Sequence, residues 1–412
     1  MDKKLGVYIH IPFCASKCSY CDFYSLSGCD KLMPKYQDAL LAHLTEAAPQ
    51  MSAYYIDSLY FGGGTPSYYG AKRLCEAFNT LKRTAQVLKS AEVTVEVNPD
   101  SVTKRDLAAL RNEGVNRLSI GMQSANDDIL KLIGRRHSFK QVEKVMKDAR
   151  SIGFDNISLD LIYGLPSQTK SDWADTLAKA LALRPEHFSC YGLKLEEGTP
   201  MYGYKGSPFL PDDDEQADMY LYMVETLEHF DYPQYEISNF SIPDYESKHN
   251  LKYWKLHDYM GFGPGAHSCV GGLRYSFVAN LEQYISGVFR SEDIIDEYET
   301  VGALDKAAEY IMLGMRTVRG ISGDEYYSIY RNDFDPIEDL LDRFRKKGWT
   351  EQVGSRWHFT STGFLLSNML IGALLEVQSQ QKLSSTPWVK DDVGIITEEK
   401  DITPPVGDDL FF

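Results

Sequence analysis

Strand and helix signals alternate six times in the first two hundred residues, and that order limits the possible folds more than any other feature. Six short runs rich in β-branched and aromatic residues read as strands: GVYIHI (6–11), IDSLYF (56–61), EVTVEV (92–97), NRLSIG (116–121), NISLDLIY (156–163) and HFSCYGL (187–193). Helix-spaced segments stand between them at 34–48, 71–85, 104–112, 138–153 and 171–183. Strands joined through helices run parallel. Such units either lie open as a doubly wound sheet or curl part-way into a barrel, and pattern alone does not separate the two. In both, chemistry gathers at the carboxyl ends of the strands.

The polar and glycine-rich features of this chain fall on that rim. Cys14, Cys18 and Cys21 follow the first strand, GGGTPS (62–67) the second, Glu96 lies near the end of the third, and Gln123 follows the fourth. Asp160 lies inside the fifth, and a carboxylate beside an apolar sheet calls for a reason. Singly, each has a plain structural reading: an ion-pair partner, a solvated charge or a tight turn.

Beyond residue 200 the pattern changes. DDDEQADMYLYMVETLEHF (212–230) reads as a helix with an acidic first turn, and 231–285 as an irregular aromatic, glycine-rich stretch. Short helices fill 303–377, with a β-wing at WTEQVGSRWHFT (349–360), as in a small winged-helix module. The resulting division is 1–200, 201–300, 301–377 and a disordered tail at 378–412, where apolar residues are too sparse to pack.

The formal net charge of −16 argues against a nucleic-acid binder, which needs a basic footprint. The longest apolar stretch, 363–377, is broken by Ser367 and Asn368 and is too short to span a bilayer. Seven cysteines, three of them within eight residues, do not make a secreted disulfide framework, and the N-terminal segment does not read as a signal peptide. These features predict a cytoplasmic protein without a membrane span, and leave transient membrane association open.

Cys14, Cys18 and Cys21 are spaced Cys-x3-Cys-x2-Cys in HIPFCASKCSYCDFYS (10–25). Three thiolates on a cubane leave one iron open to an outside ligand. The alternative is a zinc site completed by His10 or Cys29.

The spacing, placed after the first strand, resembles the radical S-adenosylmethionine (SAM) superfamily. The resemblance implies a partial (β/α)6, TIM-like barrel and a [4Fe–4S] cluster whose open iron chelates SAM, which one electron then cleaves to methionine and a 5′-deoxyadenosyl radical. It also implies that Gly63, Gly64, Thr65 and Glu96 meet the methionine moiety. Gln123 and Asp160 would bond the ribose, Arg135 (with Arg136 as its rival) the SAM carboxylate, and Tyr8 and Tyr20 would pack nearby.

YIHIPFC, YFGGGTPS and LDLIYGLPSQT narrow the match to the oxygen-independent coproporphyrinogen III oxidase (HemN)-like family. Within it, Phe23 stands where the dehydrogenase pattern has a further cysteine, and HNLKYW (249–254) resembles the His-Asn-x-x-Tyr-Trp motif of the HemW branch. That branch implies a haem chaperone delivering haem to respiratory cytochromes, with an unidentified electron donor; the alternative is radical decarboxylation of coproporphyrinogen III. His249 is the haem-ligand candidate, ahead of His257 and His267.

Overall fold

In the computed structural model, residues 3–385 are described. The six expected strands are Lys4–Ile11 (β1), Tyr55–Gly63 (β2), Gln86–Val97 (β3), Arg117–Gln123 (β4), Ile157–Tyr163 (β5) and His187–Gly192 (β6), paired parallel in that order. Each is followed by a helix, from Met33–Glu46 after β1 to Asp213–His229 after β6. Capping boxes start four of these helices, at Thr103, Ser138, Thr169 and Asp212, which satisfies backbone N–H groups the first turn leaves unpaired.

Alternation along the strands sorts side chains into two layers. Val7, Ile9, Leu59, Phe61, Val93, Val95, Leu118, Ile120, Leu159 and Phe188 form the buried apolar core. The intervening positions are polar: Tyr60 lies opposite Thr94, Thr94 opposite Arg117, Glu96 opposite Ser119, Ser119 opposite Ser158, and Asp160 opposite Ser189.

The stretch expected to be irregular adds further structure. Tyr259–Phe262 (β7) pairs parallel with β1, and His267–Val270, Leu273–Phe277 and Ile295–Thr300 continue the sheet antiparallel. At the other edge Asn239–Ser241 and Gln234–Glu236 follow β6, for twelve strands in all. The barrel is therefore partial: among the described residues its edges are extended by antiparallel strands and not joined to each other.

By contact the chain divides into Met1–Val301 and Gly302–Phe412. The second unit contains a wing, Thr350–Val353 and Arg356–Phe359 in an antiparallel hairpin, with Ile321–Ser322 as a third strand among short helices. Its helix Ser367–Ser385 runs into the segment expected to be a tail, because buried Gln378 donates to the Tyr326 hydroxyl and keeps that turn docked. The rest of that segment lies outside the described residues. Among the described residues no helix is long and apolar enough to cross a membrane.

Candidate radical SAM site

The cysteine loop is tied down at several points. Phe13–Cys14 pairs with Leu26–Ser27, and Leu26 N–H donates to Pro12 O at 2.7 Å. The glycine run is stitched to the same loop: Gly64 N–H donates to Ile11 O and Thr65 N–H to Phe13 O, both at 2.8 Å. The Thr65 hydroxyl lies 3.3 Å from Cys14 Sγ. Gly63 has φ 106° against the His10 ring, a conformation and an approach that leave no room for a Cβ. Ser19 N–H reaches Ile133 O and Met201 N–H reaches Ser19 O, anchoring the far side of the loop.

A cavity of about 360 Å³ opens on this rim. Cys14, Cys18, Cys21, Tyr20, Gly63, Gly64, Thr65, Glu96, Gln123, Arg135 and Asp160 all line it. Tyr8 is not among the lining residues; its hydroxyl is 3.0 Å from His10 Nδ1, behind the glycine run. Arg136 is exposed and turned to Asp100 at 3.4 Å, so Arg135 is the guanidinium that faces the cavity.

Several lining residues were not singled out from the sequence: Tyr60, Asn98, Arg117, Ser119, Ser189 and Tyr191; Asn250, of the HNLKYW motif, lines the cavity as well. For Tyr60, Arg117, Ser119, Ser189 and Tyr191 the available signal was the polar member of each alternating strand.

The ionisable groups at the base of the cavity are buried. Burial, and then the charge of Asp160, push Glu96 up to about 8, although Tyr60 Oη donates to it at 3.0 Å. Burial also raises Asp160, against hydrogen bonds from Ser119 at 2.9 and 3.1 Å. Arg135 donates to Asn98 Oδ1 at 2.7 Å and Gly121 O at 2.8 Å, with Cys18 Sγ at 3.7 Å. A Cβ at Gly121 would lie 2.7 Å from the Arg135 guanidinium, so a larger residue there would shift the arginine from this position. Gln123 ends β4 at φ 62°, a left-handed conformation rare outside glycine, which turns its amide to the cavity.

These residues fit a cluster and a zwitterionic cofactor. Burial raises the Cys14 and Cys21 thiols, so their thiolates need the charge of a bound metal centre. Among the described residues no three His, Cys, Asp or Glu side chains gather closely enough for a single ion, whereas a cubane takes each thiolate at its own corner. Arg117 Nε and Nη2 and Arg135 Nε are buried without partners, donors suited to an anionic ligand group.

His249 is placed elsewhere. It is buried in helix Lys248–Trp254, with Nδ1 3.0 Å from Ser58 Oγ and Nε2 2.8 Å from Tyr253 Oη. Both ring nitrogens are engaged, and the residue does not line the thiol cavity. Its ring stacks on Tyr60 at 5.3 Å. His267 is exposed on its strand, and Cys29 Sγ turns to Ser27 O, outside the cavity lining.

Fold and site together define a radical SAM protein, and residues 8–180 match the sequence model of the Radical SAM superfamily. Bacillus subtilis Heme chaperone HemW is 35% identical over 90% of this chain and 99% of that protein. The Escherichia coli Heme chaperone HemW is 31% identical over 90% of this chain and 98% of that protein. The chain belongs to the HemW family of the radical SAM superfamily. Membership implies a [4Fe–4S] cluster and SAM. The solved structure of coproporphyrinogen III oxidase (HemN) from Escherichia coli matches with TM-score 0.80 at 23% identity, covering 92% of this chain and 90% of that one; this likeness shows the fold.

Proposed function

We propose that this chain is a haem chaperone that holds a cluster on Cys14, Cys18 and Cys21, SAM in the adjoining polar cavity, and haem as cargo for respiratory haemoproteins in the cytoplasm. The observation that carries the reading is the composition of the cavity: three thiols line it, and Phe23, 64% exposed, lines it where a coproporphyrinogen dehydrogenase has a further cysteine. The HemW relatives, similar over nearly their whole length, support the chaperone role over radical decarboxylation.

When bound, cluster and SAM together supply one-electron cleavage of a carbon–sulfur bond. The residues bind and orient. Arg135 presents a guanidinium to the SAM carboxylate, and the Gly63–Gly64 backbone, Thr65 and Glu96 receive the methionine amino group. Gln123 and Asp160 take the ribose hydroxyls, and Tyr20 closes one wall against Ile129, Ile133 and Met201. Tyr8 backs the glycine run through His10. His249 holds the Tyr60 ring, whose hydroxyl holds Glu96, and so acts as a positioning residue. A direct iron bond at His249 would have to displace Ser58 or Tyr253.

The test is anaerobic. Reconstituted protein is given haemin, then reduced and given SAM with coproporphyrinogen III. Stoichiometric haem binding without porphyrin oxidation is expected. Multiple-turnover formation of protoporphyrinogen would overturn the chaperone reading.

A further inference from the structure

A second cavity, of about 830 Å³, shares no lining residue with the first. Its volume lies within the range of cofactor sites, roughly 300–1,000 Å³. Its walls are the antiparallel end of the large sheet, the helix Met33–Glu46 and the helix Leu281–Arg290. Met260, Val270, Leu273, Val288, Ile294 and Ile295 make it apolar, and Tyr275, Phe277 and Tyr298 add rings. One imidazole, that of His43, lines it.

Three observations converge. First, the residues at this end are more exposed than folding alone accounts for: Leu273 is 42%, Ile295 41% and Tyr298 78% exposed, and every residue of strand Ile295–Thr300 is exposed. A contiguous apolar lining that stays open marks a ligand or partner surface. Second, one ring nitrogen of His43 is fixed by a hydrogen bond and, among the described residues, the other is left unengaged. Its Nδ1 is 2.8 Å from Tyr284 Oη, and Phe262 and Phe277 meet its ring edge-on at 5.0 and 4.8 Å. Either group can donate in this pair; in the tautomer that gives Nδ1–H to the tyrosine oxygen the Nε2 lone pair is available, and among the described residues no hydrogen bond engages Nε2. Third, burial lowers His43 to about 4, so the ring is neutral at physiological pH, as an iron ligand must be. Glu46, Glu292 and Asp293 are the carboxylates lining the cavity, and a ligand's own carboxylates would point away from them to solvent.

We propose that this cavity is the cargo site, taking a metalloporphyrin with its iron on His43 Nε2 and its macrocycle against Tyr275, Phe277 and Tyr298. The assignment rests on the haem-chaperone reading and replaces His249 as the iron ligand.

The test uses full-length, cluster-loaded protein and haemin. Wild type should bind one haemin with an imidazole-ligated Soret spectrum. H43G should lose that spectrum, weaken binding at least tenfold, and regain the spectrum on adding free imidazole, a rescue that a structural histidine would not give. Y298E, at an exposed position, should weaken binding several-fold with the spectrum of the remaining complex unchanged. H267A, at an exposed histidine that lines neither cavity, should keep the wild-type spectrum. If H43G and Y298E bind haemin as wild type does, the site assignment fails while the chaperone reading stands. If wild type binds no haemin, both fail.

Discussion

Glu96 folds into the lumen with a raised carboxyl, and its protonation has a measurable consequence. An unfolded glutamate titrates near its ordinary value of 4.5, whereas the buried one does so at about 8. Between those values the folded chain keeps a proton that the unfolded chain has lost, so stability falls as pH rises through the window and is flat above it. The upper bound on that loss is on the order of 5 kcal/mol. E96Q removes the linkage. Without SAM, the Tm of wild type should fall further than that of E96Q between about pH 5 and pH 8.5, and parallel profiles would contradict the assignment. Ligation gives a second expectation at single positions. C14A, C18A and C21A should each yield protein without cluster iron and sulfide, while C29A should retain both. Iron loss from C29A would mean that the ligand set includes Cys29.

The helix Lys248–Trp254 shows why a motif can be legible without its role being so. HNLKYW stood out in the sequence as a haem candidate. In the structure, Glu92 accepts the N–H groups of Lys248 and His249 at 3.1 Å each, Lys252 pairs with Asp57 at 2.6 Å, and His249 packs under Tyr60. A carboxylate at a helix N-terminus and a nearly buried ion pair are packing devices, and all their partners are distant in sequence. H249A should lower stability by about 2–4 kcal/mol, through the emptied ring volume and two stranded hydroxyls. Chemical denaturation measures it, and a change below about 0.5 kcal/mol would mean that the helix does not depend on this ring. The six strands were legible because each is flanked by helix-period residues and alternates cleanly. Tyr259–Phe262 was not: it is four residues long, set among glycines and a proline, and its pairing with β1 joins residues some 250 positions apart, which local periodicity cannot report.

The same division holds for the candidate site. The three thiols, the glycine run, Glu96, Gln123, Arg135 and Asp160 were reached from the sequence, and one cavity gathers them. The polar lumen beneath was not reached, because Arg117, Ser119 and Ser189 each look like ordinary strand residues until six strands are set side by side. The second cavity was invisible for the same reason. His43 sits in an amphipathic helix, and its neighbours Phe262, Phe277 and Tyr284 come from more than two hundred residues away. The reading of the first cavity depends on a cluster with one iron open to SAM. The most direct test is electron paramagnetic resonance of the anaerobically reconstituted, reduced protein before and after SAM is added. The expected result is a [4Fe–4S] signal whose g values shift on adding SAM. A signal identical in both samples, or protein holding one zinc and no sulfide, would contradict the account.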